Sequence, residues 1–86
     1  MNRDRVYKII DEERDYQQSW NEAGVKADDR ELGTWLMILK NRLDMAQQGW
    51  AVRKPEKERV ECIKQIMKMV AVGVACLEQY GDILEE

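Results

Sequence analysis

Residues 63–77 read IKQIMKMVAVGVACL and are the most apolar segment of the chain. Its apolar residues recur every three or four positions, which is the spacing of one face of an α-helix. Further small and apolar residues cover its other sides, and a helix that is apolar nearly all round is buried nearly all round. The stretch therefore predicts a central helix. Its main stripe is Ile63, Ile66, Met67, Val70, Val74 and Leu77, and its other sides carry Met69, Ala71, Val72, Ala75 and Cys76.

Breaks in the apolar pattern divide the chain into three helices. Pro55 at a first turn and Gly81 after a last turn bound a helix over about residues 56–80. Two further segments predict helices over about residues 2–23 and 29–48, the second capped by Asp28 with Glu31. The 86 residues thus predict a single all-α domain. The stripe of the first helix is Val6, Ile9, Ile10, Tyr16 and Trp20, and that of the second is Leu32, Trp35, Leu36, Leu39, Leu43, Ala46 and Trp50.

Three helices offer too few neighbours to bury this much apolar surface. A chain of 86 residues buries only about 60–65% of its unfolded surface, and the second helix has an extra patch at Met37, Ile38 and Met45. We therefore expect a three-helix unit that completes a four-helix or larger bundle by homo-oligomerisation, as a dimer or larger. The alternative is a loosely packed monomer with a Met-rich surface.

The composition excludes several kinds of chemistry. The chain has no His, which removes Ser-His and Cys-His nucleophiles and His-ligated zinc. Cys62 and Cys76 lie on one predicted helix, with backbones ~21 Å apart at 1.5 Å per residue. A disulfide needs Cα atoms within about 7 Å, so these cysteines are expected to be free and to pack as small hydrophobes.

The charge and the ends of the chain limit its partners and location. The net charge of −3 argues against a nucleic-acid partner, which would favour a basic surface. The segment MNRDRVYK lacks the apolar core of a signal peptide, and no apolar run reaches the ~20 residues of a membrane span. We expect a cytoplasmic protein without a membrane partner.

Polar residues within apolar stripes are the main candidates for function. Glu13 and Gln17 fall inside the apolar arc of the first helix, where a carboxylate is costly unless it is paired or bound. Glu13 can line a ligand cavity, pair with an Arg or Lys, or lie at a wet margin. On the third helix, Glu61, Lys64 and Lys68 are spaced either as a salt-bridge ladder or as a Lys pair that reaches phosphates.

A set of motifs resembles a known family over roughly residues 6–81. These motifs are ERDYQ-x-x-W at residues 13–20, Trp35 with Leu43 and Ala46, and VAVGVACLEQYG at residues 70–81. They resemble small phage-type proteins that are similar to the MazG-like all-α nucleoside triphosphate pyrophosphohydrolases. The resemblance implies a helical unit that oligomerises. It also implies carboxylates, in E-x-x-E and E-x-x-D motifs, that hold Mg²⁺ against a triphosphate while water attacks.

The sequence departs from the family at its carboxylates. The second helix reads KNRLDM at residues 40–45, with Asp44 as its acidic residue, and the third keeps Glu58 and Glu61 but has no E-x-x-D. Two interpretations remain. In one, a divergent Mg²⁺-dependent hydrolase uses Glu13, Asp44 and Glu61 for catalysis, with Glu13, Glu58 and Glu61 as metal ligands. In the other, a nucleotide is bound without turnover, with no metal or other cofactor, because Lys and Arg take the place of the metal.

The sequence favours binding without turnover. In a phage-type protein, this predicts sequestration of a nucleotide, for example a cyclic nucleotide signal of host defence, in the host cytoplasm. A third alternative is an inhibitor that binds a host protein. The ligand residues predicted for nucleotide binding are Lys40, Arg42, Lys64 and Lys68 for phosphates, Trp20 or Trp35 for base stacking, and Glu13 with Gln17 for polar base or ribose contacts.

Overall fold

A computed structural model describes residues 1–22, 30–51 and 57–85, with side chains for residues 1–19, 30–50 and 59–85. Three α-helices follow one another, α1 (Arg3–Glu22), α2 (Leu32–Ala51) and α3 (Lys57–Tyr80), and a 3₁₀ helix (Gly81–Glu85) ends the described chain. The described ranges contain no strand. The predicted all-α class is therefore confirmed.

Local hydrogen bonds explain where two helices begin. The side-chain oxygen of Asn2 accepts a bond from the Arg5 N–H at 2.9 Å, which caps α1. Glu31 carries the first carbonyl of α2, which accepts a bond from the Trp35 N–H at 3.2 Å. Thus α2 begins later than predicted, and the predicted cap at Asp28 lies outside the described residues.

The central helix is α3, because α1 and α2 each pack against it. Within the described residues, no Cα atom of α1 comes within 8 Å of a Cα atom of α2. The two outer helices therefore form the walls of a groove whose floor is α3.

Small side chains of α3 make the intramolecular core. Ala71 is fully buried, and Val72 and Ala75 are nearly so. Trp35 of α2 packs on Val72 and Ala75, with further contacts from partly buried neighbours. Ile10 of α1 is also buried. Those neighbours are Ile38, Leu39, Cys76 and Tyr80.

Most of the main stripe predicted for α3 is exposed, although its Met67 and Val74 are partly buried. Ile63 is 64% exposed and Leu77 is 56% exposed, whereas Ala71 is 0% exposed. Periodicity detects every apolar face but does not tell which one the outer helices select, and here they pack on the face with the smaller side chains. The same correction applies to large hydrophobics of the other predicted stripes, which are also exposed: Val6, Tyr16, Leu32, Leu36, Leu43 and Trp50.

Two smaller predictions concern the cysteines and the membrane. Cys62 and Cys76 are free and partly buried, as predicted. None of the helices in the described ranges combines the length and the apolar character needed to cross a lipid bilayer.

Candidate functional site

The groove between α1 and α2 is the candidate site. Its volume is about 480 Å³, which lies within the ~300–1,000 Å³ of small-molecule sites. Each helix contributes to its walls or floor. The lining residues are Glu13, Arg14, Tyr16 and Gln17 of α1, Arg30 just before α2, Trp35, Ile38 and Arg42 of α2, and Lys68, Val72 and Ala75 of α3.

The groove is positively charged although the whole chain is acidic. Within the part of the chain that the structure describes, four cationic side chains and one carboxylate line it. They are Arg14, Arg30, Arg42 and Lys68, with Glu13. The net charge of the chain is −3. Because cations converging in a cleft with apolar walls focus the local potential, the groove favours an anionic ligand.

Arg14 is held by a carboxylate outside the groove lining. Its Nε and Nη2 atoms donate to the two carboxylate oxygens of Glu78 at 3.0 and 2.9 Å. Arg14 is 5% exposed, and a buried guanidinium needs such a pairing. Its charge is therefore balanced within the fold, and the other three cations remain to attract a ligand.

Two of those other cations, Arg42 and Arg30, have neutral neighbours among the described residues. Arg42 donates to the side-chain oxygen of Gln65 at 3.3 Å, and the guanidinium of Arg30 lies 5.2 Å from the centre of the Trp35 ring. Lys68 is partly buried in the groove floor. Neutral contacts position a cation without cancelling its charge, so Arg30 and Arg42 keep a positive charge that a phosphate can neutralise.

The side chain of Gln79 forms a clasp, which is a set of hydrogen bonds to Arg30 and Trp35 that holds the start of α2. The side-chain oxygen of Gln79 accepts bonds from the Arg30 N–H at 3.2 Å and the Trp35 indole N–H at 2.9 Å. Its amide nitrogen donates to the Arg30 carbonyl at 2.7 Å, and the Tyr80 hydroxyl donates to the same carbonyl at 2.9 Å. The backbone of Arg30 is thereby tied to the end of α3, and its side chain is placed at the groove.

The structure changes the role expected of Trp35. The side chain lines the groove but is only 2% exposed, its N–H is used by Gln79, and Arg30 lies over its ring. It is therefore part of the wall and presents no open ring face for a base. The exposed aromatic side chain in the lining is Tyr16, at 56%.

The groove brings together five of the eight predicted ligand residues. Glu13 and Gln17 are partly buried on α1, as their position in the stripe suggested. The Gln17 amide donates to the Lys68 backbone carbonyl at 3.3 Å, which links α1 to the floor. The five are Glu13, Gln17, Trp35, Arg42 and Lys68.

Two predicted lysines lie outside the groove. Lys40 is exposed on α2 and does not line it. Lys64 lies 3.6 Å from Glu61 in an exposed pair one turn apart, which is the salt-bridge ladder considered above and contributes little to stability. The side chains of Trp20 and Glu58 lie outside those that the structure describes.

The predicted catalytic carboxylates do not share one place. Glu13 lines the groove, whereas Asp44 and Glu61 are exposed and are not part of the lining. Among the described side chains, no three carboxylates or thiols are close enough to hold a metal ion together. The predicted catalytic set of Glu13, Asp44 and Glu61 would need a different arrangement of the helices to act together. The predicted metal set includes Glu58, whose side chain lies outside those that the structure describes.

Sequence reasoning missed several residues that shape the groove: Arg14, Tyr16, Arg30, Glu78 and Gln79. A weak signal existed, since Glu78 and Gln79 interrupt an apolar run and can reach back to other helices. The residues that they contact depend on how α1 and α2 pack on α3. A helical wheel shows the faces of one helix and does not predict this packing.

Comparison with known proteins returned no matching family model, curated protein or solved structure. The resemblance to MazG-like proteins therefore stays a prediction, and the function is inferred from the residues of the groove.

Proposed function

We propose that this protein binds a nucleotide through its phosphates in the groove between α1 and α2 and does not hydrolyse it. The observation that carries the proposal is the convergence of Arg30, Arg42 and Lys68, beside the paired Arg14, on a groove of about 480 Å³. Guanidinium and ammonium groups are the preferred protein donors to phosphate oxygens.

The rest of the lining suits the other parts of a nucleotide. Tyr16 offers an exposed ring on which a base can stack. Glu13 and Gln17 offer polar groups to hydroxyl or amino donors of the ribose or the base. Ile38, Val72 and Ala75 supply apolar contacts in the floor and wall. A ligand with phosphate, polar and aromatic parts fits this combination better than inorganic phosphate alone.

Binding without turnover is favoured over the hydrolase alternative by the charges of the groove. Its cations can balance phosphates without Mg²⁺, and among the described side chains a single carboxylate, Glu13, lines it. A protein that binds and does not cleave acts by lowering the free concentration of its ligand. The resemblance to phage-type proteins extends the proposal to sequestration of a nucleotide signal of host defence, such as a cyclic nucleotide, in the host cytoplasm.

Titration calorimetry with a nucleotide panel tests the proposal. The panel contains mono-, tri- and cyclic nucleotides, each with Mg²⁺ and with EDTA, and product formation is followed by chromatography. We expect one class to bind equally well in EDTA and to be recovered intact. Absence of binding by every nucleotide would refute the proposal, and Mg²⁺-dependent release of pyrophosphate would establish the hydrolase instead.

Matched variants locate the binding. Lys68→Ala and Arg42→Ala remove groove cations, whereas Lys40→Ala and Lys64→Ala remove exposed cations outside it. Loss of a charge-assisted hydrogen bond costs about 1.5–3 kcal/mol, which is roughly 10- to 150-fold in affinity. We expect that loss in the first pair and less than a threefold change in the second. Equal effects in both pairs would place the ligand elsewhere.

We further propose that the chain forms a homo-oligomer that completes a larger bundle. The support is its large exposed apolar residues on all three helices, including Ile63, Met37 and Val6. The same surface would suit a host protein, as the inhibitor alternative requires. An oligomer of the purified chain in light scattering supports self-association, and a monomer at all concentrations contradicts it.

A further inference from the structure

We propose that two copies of this chain pair through α3 in an antiparallel orientation, with Ile63, Ile66, Val70 and Leu77 as the seam. The inference rests on the proposed homo-oligomer and names the surface through which it forms. It does not depend on the nucleotide groove, whose floor is made by other residues of α3.

The spacing of the exposed residues is that of a helix–helix seam. Ile63, Ile66, Val70 and Leu77 are between 40% and 64% exposed. They follow intervals of three, four and seven residues, which is the heptad pattern by which two helices pack along their length. A stripe of this kind on a solvated helix face would show charged residues within it, and residues 63, 66, 70, 73 and 77 include none.

Gly73 occupies the seam position between Val70 and Leu77. A Cβ atom built on it meets nothing within 4 Å, so contacts within the chain do not require a glycine. Glycine inside a helix costs about 1 kcal/mol relative to alanine. A close approach by the backbone of a second helix would explain the residue, since only glycine leaves room for such a crossing.

The apolar surface continues from the seam onto α1. A groove of about 380 Å³ between the two helices is lined by Val6, Ile9, Ile66, Met67 and Val70, among others. If a large aliphatic side chain offers ~100 Å², as its transfer free energy implies, five half-exposed chains give ~250 Å². They are Val6, Ile63, Ile66, Val70 and Leu77. This area is about half of the apolar share, ~450 Å², of a standard interface of ~800 Å² per partner, and the partly buried Ile9 and Met67 add to it.

Charges at the two ends of the seam favour the antiparallel orientation. Arg59 lies one turn before Ile63, and Asp82 and Glu85 lie beyond Leu77 in the 3₁₀ helix. Antiparallel pairing brings Arg59 of one copy towards the acidic end of the other, twice by symmetry. Parallel pairing would place the two acidic ends together and Arg59 beside Arg59 of the other copy, because Glu61 and Lys64 near Arg59 already pair with each other.

Light scattering coupled to size exclusion, on the full chain, tests the seam. Val70→Glu places a charge at its centre, and the matched control Leu36→Glu places one at an exposed position of α2. We expect a dimer for the wild type and the control and a monomer for Val70→Glu, with the helical circular dichroism unchanged. If Val70→Glu unfolds, Gly73→Leu takes its place, with Gly33→Leu as the control. A Cβ atom at either glycine meets nothing within 4 Å in a single copy of the chain, so neither substitution should disturb the fold.

The outcomes separate the two proposals. A wild type that is monomeric at every concentration overturns the homo-oligomer and the seam together. A wild-type dimer that survives Val70→Glu, or that is lost equally in Leu36→Glu, overturns the seam alone.

A charge reversal tests the orientation. Arg59→Asp should raise the dimer dissociation constant severalfold, and addition of Asp82→Arg in the same chain should restore it. An unchanged constant in Arg59→Asp, or no restoration in the double variant, would overturn the antiparallel arrangement.

Discussion

Arg14 of α1 and Glu78 of α3 form a two-point ion pair, with N–O distances of 3.0 and 2.9 Å. Arg14 lines the groove, while Glu78 lies near the end of α3. Since the described residues of α1 pack on α3 and not on α2, contacts of this kind set the position of one groove wall. The pair therefore links the stability of the fold to the shape of the candidate site.

Removing the carboxylate of this pair should destabilise the protein. Glu78→Gln removes the negative charge that pairs with the Nε and Nη2 atoms of a buried guanidinium. The cost of breaking a buried pair, about 3–5 kcal/mol, is reduced because the Glu78 side chain is 52% exposed. We expect a loss of about 1–3 kcal/mol in the free energy of unfolding, measured by urea denaturation.

The matched control is Glu61→Gln, which breaks the exposed pair with Lys64. An exposed pair is worth about 0–1 kcal/mol, so this variant should remain within 1 kcal/mol of the wild type. Equal effects of the two substitutions would show that the Arg14–Glu78 pair does not hold α1 in place.

Gln79→Ala should loosen the junction between α2 and α3. It removes the bonds that Gln79 makes to the Arg30 backbone and to the Trp35 indole. At about 0.5–1.5 kcal/mol for each bond, we expect a loss of about 2 kcal/mol or more in the free energy of unfolding. Trp35 emission, in a background with Trp20→Phe and Trp50→Phe, should shift to longer wavelength because the indole becomes wetter. An unchanged spectrum and stability would contradict the clasp.

Tyr16 and Trp35 should differ in their effects on nucleotide binding. Tyr16→Ala removes the exposed ring of the groove, and stacking of a base on an aromatic side chain is worth about 1–3 kcal/mol. We expect weaker binding of a nucleotide but unchanged binding of inorganic pyrophosphate, with affinity retained in Tyr16→Phe. Trp35→Phe should lower stability and alter both affinities by less than threefold. A selective loss of nucleotide affinity in Trp35→Phe would restore the stacking role to that residue.

Much of the fold could be predicted from the sequence because it depends on local patterns. The ends of α1 and α3 agree with the predictions to within about two residues, since Gly81 and the regular apolar spacing mark them. The face that α3 uses could not be predicted. Ile63 and Ala71 both belong to apolar faces, and only the packing of the outer helices decides that Ala71 is buried and Ile63 is exposed.

The candidate site was predictable in part for the same reason. A carboxylate and an amide in an apolar stripe, Glu13 and Gln17, pointed to the groove because burial of a polar group needs a cause. Lys64 and Lys68 have the same kind of spacing, yet one lies in an exposed pair and the other in the groove floor. Their different roles follow from the crossing of α1 over α3, which is long-range information.

The charge of the groove makes binding sensitive to salt. The affinity for a nucleotide should fall severalfold between 50 and 200 mM NaCl, because exposed charges are screened over the Debye length of about 10 Å at 0.1 M. Lys68→Ala should reduce this dependence, and Lys40→Ala should leave it unchanged. An affinity that does not vary with salt would contradict phosphate recognition by the groove cations.

Calorimetry of nucleotide binding to Glu13→Gln tests binding without a metal most directly. The affinity is compared with that of the wild type, once in EDTA and once in Mg²⁺. Among the described side chains, Glu13 is the carboxylate that lines the groove beside its cations. Replacing it with Gln removes a repulsion from the phosphates and keeps an acceptor oxygen for the ribose or the base. We expect an affinity that is equal or up to about tenfold higher, in EDTA as in Mg²⁺. Loss of binding in Glu13→Gln, together with a wild type that binds only when Mg²⁺ is present, would contradict the account.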